Sequence, residues 1–243
     1  MVKTWDINCD LGEGMQNDEL IMPFLGSCNI ACGGHAGDEG SIRKTVKLAR
    51  KHLVNVGAHP SYPDRENFGR VPLAIDFERL EKSLSAQIHA VKSAAEEWHL
   101  PLHHIKFHGA LYLESLSNGI LAEKLAQFIQ REFPGKMIYA PFGSAISRAA
   151  NRKKVPIAYE VFADRCYQSP VQLLSRKDPK AVLMTLLEIE QQVSLFLAAQ
   201  QVKTVDGTCL PIKADTICVH GDHPLAVEIV TLIARKMGET KKL

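Results

Sequence analysis

The residues of this chain that could do chemistry fall in short clusters: NCDLGEG (8–14), ACGGHAGDEG (31–40), GAHPSYPDRENFGR (57–70), KFHGALY (106–112), APFGS (140–144), EVFADR (160–165) and VHGD (219–222). Together they hold Asp10, Glu13, His35, Asp38, His59, Asp64, Arg70, Lys106, His108, Glu160, Asp164, Arg165, His220 and Asp222. Imidazoles and carboxylates move protons and ligate divalent ions, while cationic side chains balance developing negative charge or clamp a carboxylate. Taken singly, each has an ordinary explanation as a capping or hydrogen-bonded residue. As a set they make a site only if the fold brings distant stretches to one place.

Each cluster follows or ends a short apolar run that reads as a strand: TWDINC (4–9), SCNIAC (27–32), VNVGA (54–58), HIKF (104–107), KMIYA (136–140), IAYEVF (157–162) and DTICV (215–219). The segments between them have helical spacing. Ile42, Val46, Ala49 and Leu53 share one face, and Phe77, Leu80, Leu84, Ile88, Val91, Ala95 and Trp98 form a longer stripe with Asp76 as its N-cap. Asp178 before Pro179 and His223 before Pro224 read as two further helix starts.

Alternating strands and helices permit an open parallel sheet or a closed barrel, and side-chain parity chooses between them. Asp6, Asn8 and Asp10 share one face of the first strand. The same polar phase holds Asn55 and His59, then His104, Lys106 and His108, then Thr216 and His220. Strands covered by helices on both faces read as continuous apolar runs, so a polar phase predicts helices outside and a polar, partly open interior. The expected fold is α/β: a distorted seven-stranded parallel (β/α) barrel, one domain over residues 1–243. In such a barrel the C-terminal strand ends converge on one rim, which would gather the clusters.

Composition narrows the function. At 243 residues with 46% apolar and 23% charged residues, the chain has the balance of a globular domain. A net charge of +2 without a basic block leaves no footprint for nucleic acid and favours a small-molecule substrate. No apolar run is long enough to span a membrane, and the N-terminal sequence has no signal-peptide pattern, so a cytosolic protein is expected. The six cysteines form no CxxC pair and read as small buried hydrophobes. No GxxxxGK[ST] loop and no strand-linked GxGxxG is present, so a nucleotide would need another mode or another subunit; GxSxG is also missing.

Asp10, His59 and His108 end three strands on the polar phase and form a candidate set for a divalent metal ion, with His35 as a fourth ligand. A metal-free acid/base cluster would use the same residue types.

Taken in order, these clusters resemble the LamB/YcsF family, whose assigned role is the A component of prokaryotic 5-oxoprolinase. The likeness runs from DINCDLGEG through NIACGGHAGD, GAHPSYPDRENFGR, KFHGALY and EVFADR to DTICVHGD, nearly the whole chain. Gly34, Phe107 and Val161 depart from the family pattern without touching a charged residue. The resemblance implies a barrel similar to those of glycoside hydrolases and deacetylases. It also implies ATP-dependent opening of 5-oxo-L-proline (pyroglutamate) to L-glutamate with partner subunits B and C, through which ATP would be supplied. The residues expected to carry catalysis are Asp10, Glu13, His35, Asp38, Lys106 and Asp222, and those expected to bind substrate are Asn29, Arg70, Arg165 and His220. Two other readings stand beside it: a metal-dependent deacetylase of an N-acetylated sugar, and a component that binds pyroglutamate without catalysis.

Overall fold

Polar residues at every second strand position can be buried only if they satisfy one another, and a closed barrel gives them a shared lumen in which to do so. The computed structural model describes residues 5–238. In it seven parallel strands close into a barrel: β1 (Asp6–Leu11), β2 (Ser27–Ala31), β3 (Asn55–His59), β4 (Leu102–Ile105), β5 (Met137–Ala140), β6 (Ile157–Phe162) and, after four short strands, β11 (Thr216–His220). Around the barrel the order is β1, β11, β6, β5, β4, β3, β2. All seven expected strands are present with ends displaced by up to two residues; Thr4 lies outside the described residues. The displacement reaches two residues at β1 and at β4, where Lys106 and Phe107 fall beyond the strand, although the Lys106 amide still donates to the Ala58 carbonyl at 3.0 Å.

The outward phase of these strands packs beneath the helices in one continuous apolar core that includes Ile7, Cys9, Cys28, Ile30, Val56, Ile138, Ile217 and Val219. The helices are α1 (Asp18–Ile21), α2 (Glu39–His52), α3 (Phe77–Glu96), α4 (Gly109–Ser117), α5 (Gly119–Glu132), α6 (Ala145–Arg152), α7 (Leu186–Ser194) and α8 (Ala226–Lys236). Ile42, Val46 and Ala49 of α2 are buried as the periodicity predicts. Leu53 is not: it caps the helix in a left-handed conformation and is 79% exposed. Asp76 caps α3 as expected.

Between β6 and β11 the chain makes an excursion with two antiparallel ribbons, β7 (Tyr167–Ser169) with β8 (Gln172–Leu173) and β9 (Gln201–Lys203) with β10 (Cys209–Pro211). The expected helix start at Asp178 is instead a turn, in which its carboxylate accepts from the Lys180 amide. The helix waits until Thr185, which makes a reciprocal capping box with Glu188. His223 opens the turn before α8, which itself begins at Ala226.

The lumen is filled in layers. Lowest is Asp6, whose Oδ2 accepts from Ser27 Oγ at 2.6 Å and Thr216 Oγ1 at 2.7 Å. Next comes His104, stacked on Tyr139 and hydrogen-bonded through Nε2 to Asn29 Oδ1 at 2.7 Å. A glycine is required opposite it, because a Cβ on Gly57 would overlap the His104 ring; the β3–β4 register shifts at this point. Among the described residues no helix is long and apolar enough to cross a membrane. Of the cysteines, Cys9, Cys28, Cys32 and Cys218 are buried as expected, but Cys166 is half-buried and Cys209 is exposed on β10.

Candidate functional site

Above these layers the lumen ends in a buried ionic cluster. Lys106, just past β4, places Nζ 2.9 Å from Asp10 Oδ1 on β1, 3.0 Å from Glu160 Oε1 on β6, 3.0 Å from Cys218 Sγ on β11 and 3.3 Å from Asn8 Oδ1. Burial alone would favour the neutral amine, but Asp10, with Cys218 and Glu160, holds the Lys106 pKa well above its ordinary value. Burial likewise opposes ionised Asp10, and His59 and Lys106 reverse the sign, keeping its carboxyl well below the usual range. Tyr112 from α4 donates to the other oxygen of Glu160 at 2.9 Å.

Asn29 supports this cluster from below. It is fully buried on β2, and its amide donates to Asp10 Oδ1 at 2.8 Å and to Asn8 Oδ1 at 2.7 Å while its oxygen meets His104. The structure places Asn29 below the rim, with its polar atoms engaged by Asp10, Asn8 and His104 within the lumen.

Three histidines and a glutamate lie toward the rim. His59 ends β3 with Nε2 3.4 Å from Asp10 Oδ2 and 3.0 Å from His108 Nδ1. His108 occupies the N-cap position of α4 but gives no capping hydrogen bond, because its ring turns to the site; the following Gly109, at φ +57°, leaves room for the backbone of Gly69. His35 stacks on His108 with ring centroids 3.6 Å apart, and its Nε2 is 2.9 Å from Glu13 Oε1. Burial pushes the pKa of His35 down, and burial with the neighbouring His59 and His35 pushes that of His108 well down, so both rings stay neutral. Glu13, His35, His59 and His108 offer donor atoms that all lie within 4.8 Å of one another, and Asp10, Cys218 and His220 form a second such group.

His220 ends β11 with Nδ1 held 2.9 Å from the carboxylate of Asp164, which also accepts from the His220 amide. Burial opposes the Asp164 anion, yet His220 keeps its pKa below the ordinary value. A donated Nδ1 hydrogen fixes the tautomer that leaves Nε2 as a base, an arrangement suited to general acid/base work. At the mouth, Glu13, Met15, Phe68, Arg70 and Asp222 line a cleft of about 220 Å³. Arg70 reaches Asp222 at 2.9 Å across it and lies over the Phe68 ring.

The rim thus gathers Asp10, Glu13, His35, His59, His108, Lys106, Arg70, His220 and Asp222 from the ends of β1, β2, β3, β4 and β11 and the loops that follow them. Two expected site residues stand apart. Asp38 is exposed and caps α2 in a reciprocal box with Ser41, so the carboxylate serves the helix terminus. Arg165 is buried beside the site, but it donates to the Ala181 and Leu174 carbonyls and braces the excursion; burial, with Arg176 nearby, lowers its pKa to about 10. Sequence reasoning passed over Phe68, Tyr112, Arg176 and Cys218. Cys218 shares the polar phase of Thr216 and His220, which was a usable signal. Phe68 holds a left-handed backbone at φ +53° that no pattern announces.

Comparison with known proteins agrees with the fold. A chain from Haemophilus influenzae (strain PittEE), named as the A component of 5-oxoprolinase, is 36% identical over 236 residues, covering 97% of this chain and 96% of its own. One of the same name from Nitrobacter winogradskyi is 38% identical over 242 residues, covering 97% and 95%. The crystal structure of a lactam utilization protein from Thermus thermophilus superposes with a TM-score of 0.89 at 31% identity, covering 97% of each chain. With the LamB/YcsF family also matching residues 5–242, the chain belongs to that family.

Proposed function

We propose that this chain is the A component of an ATP-dependent 5-oxoprolinase, a hydrolase of a cyclic amide C–N bond that opens 5-oxo-L-proline to L-glutamate in the cytoplasm together with subunits B and C. The observation that carries this reading is the Asp164–His220 pair at the rim, 2.9 Å apart, beside the buried Asp10–Lys106 ion pair. The names of the relatives support the substrate and the role within a larger enzyme. A lactam is a resonance-stabilised amide, so its opening needs activation. The missing phosphate-loop sequence supports activation by the partners, which would transfer a phosphoryl group from ATP to the lactam oxygen.

On this reading His220 Nε2 takes a proton from water as the oxygen attacks the activated ring carbon. The same imidazole returns the proton to the ring nitrogen as the C–N bond breaks, leaving an acyl phosphate that a second water hydrolyses. Asp10, Glu13 and Asp222 are weaker choices of base, each already paired with Lys106, His35 or Arg70. Lys106 keeps Asp10 ionised and fixed beneath the reacting group. Arg70 would exchange Asp222 for the substrate carboxylate.

The histidine-rich rim also favours one alternative, deacetylation of an N-acetylated sugar, likewise an amide hydrolysis. The deciding experiment incubates the purified chain with pyroglutamate and ATP, with and without the two partners, and follows glutamate and ADP; acetylated sugars are assayed in parallel for acetate. Glutamate formed only with all three subunits, and lost in His220→Ala, is expected. Acetate release by this chain alone would establish the alternative. Activity unaffected by His220→Ala or Asp10→Asn would leave it a binding component.

A further inference from the structure

His59 and His108 meet at a short nitrogen–nitrogen contact with a carboxylate beside it. Nδ1 of His59 lies 2.8 Å from the Lys106 carbonyl, and Nε2 of His108 lies 3.0 Å from the Phe68 carbonyl. A carbonyl only accepts, so these two nitrogens carry the hydrogens. With both rings neutral, His59 Nε2 and His108 Nδ1 face each other with lone pairs at 3.0 Å, and either one more proton or a metal ion would bridge them. Two lone pairs at that separation repel unless positive charge lies between or beside them. Glu13 Oε1 completes the triangle, 3.6 Å from His108 Nδ1 and 4.0 Å from His59 Nε2.

We infer that His59 Nε2, His108 Nδ1 and Glu13 Oε1 hold a divalent transition-metal ion. Bonds of about 2.0–2.2 Å set tetrahedral donor–donor separations of roughly 3.3–3.6 Å, and the three measured separations bracket that range. Two imidazoles and one carboxylate suit Zn²⁺ and similar borderline ions, whereas Mg²⁺ and Ca²⁺ prefer oxygen throughout. The backbone carbonyls on the far nitrogens fix tautomer and ring orientation, as supporting groups do around ligating histidines.

Two neighbours are set aside as ligands. His35 stacks on His108 with planes only 4° apart, so an ion in the plane of one ring lies out of the plane of the other. His35 Nε2 instead donates to Glu13 Oε1 and positions the carboxylate. Asp10 Oδ1 is occupied by Lys106 and Asn29, and although Oδ2 lies 3.4 Å from His59 Nε2, Asp10 falls outside the group of donor atoms within 4.8 Å of one another that Glu13 joins. The site therefore differs from the strand-end set Asp10, His59 and His108 by exchange of Asp10 for Glu13. Three protein ligands leave a fourth position for water, and Glu13 also lines the rim cleft.

The test uses the full chain stripped with a chelator, and its readout is binding rather than turnover, so it stands apart from the lactam reading. Titration calorimetry with Zn²⁺ should show one equivalent bound, and anomalous diffraction should place the ion about 2.0–2.2 Å from the three named atoms. Glu13→Gln and His108→Gln should each lower affinity about tenfold or more while circular dichroism shows a cooperative fold. If either variant fails to fold, the anomalous peak in the unaltered protein decides. No binding at one equivalent, affinity indifferent to Glu13→Gln in folded protein, or a peak among Asp10, Cys218 and His220 would overturn the assignment.

Discussion

Lys106 Nζ and Asp10 Oδ1, 2.9 Å apart, form an ion pair across the width of the barrel: β1 and β4 are separated by β2 and β3 on one side and by β5, β6 and β11 on the other. The lumen is thus closed by charge where many barrels use branched apolar side chains. Such a pair is stable only while both partners and their hydrogen bonds remain, and removing one leaves an uncompensated buried charge.

Lys106→Met should accordingly lower stability by about 3–5 kcal/mol at neutral pH, read as a shift in the urea midpoint at unchanged m-value. The double variant Lys106→Met with Glu160→Gln should recover part of that loss, because one of the two stranded carboxylates becomes neutral. A single variant as stable as the unaltered protein would mean that the amine is solvated.

Asp164 should set part of the acid limit of stability. Its carboxyl titrates below the ordinary value in the folded chain because His220 outweighs burial. A carboxyl depressed in this way adds stability above its unfolded pKa of about 3.9, and the contribution is lost as pH falls through the folded value. Unfolding free energy should therefore decline below about pH 4, and Asp164→Asn should flatten the decline in that window while reducing stability at pH 7. Equal slopes in both proteins would show that the Asp164 anion contributes nothing.

Gly57→Ala should destabilise by about 1–3 kcal/mol, since the added methyl overlaps the His104 ring. Combining it with His104→Ala should cost less than the two losses added, and a thermal-melt double-mutant cycle measures the difference. Strict additivity would show that the strands part without involving the ring.

Much of the barrel was legible because one strand carries both of its environments in its parity: Asp6, Asn8 and Asp10 face the lumen while Ile7 and Cys9 face the helices. Parity names a face and says nothing of depth. Asn29 shares the lumen phase with Asp10 and was expected to touch substrate; it lies a layer below the rim, where its amide donates to Asp10 and Asn8. Asp38 was ambiguous for another reason: an aspartate three residues before a serine at a helix start makes the same pattern whether it caps or catalyses. Arg165 depends on the long excursion after β6, where Asp178–Pro179 signals a turn and a helix start equally well. The histidine cluster was half legible. His59 and His108 follow from strand ends, but the approach of Glu13, 3.6 Å from His108, rests on a loop path that spacing does not encode.

The layered filling of the lumen, from Asp6 through His104 and Asn29 to Lys106, makes the barrel a blind well rather than a tunnel. Whatever reacts at the rim must enter and leave by the same doorway. Reactant and product then compete for one opening, so turnover is sequential at the mouth, and a partner docked over the rim would govern arrival and departure together.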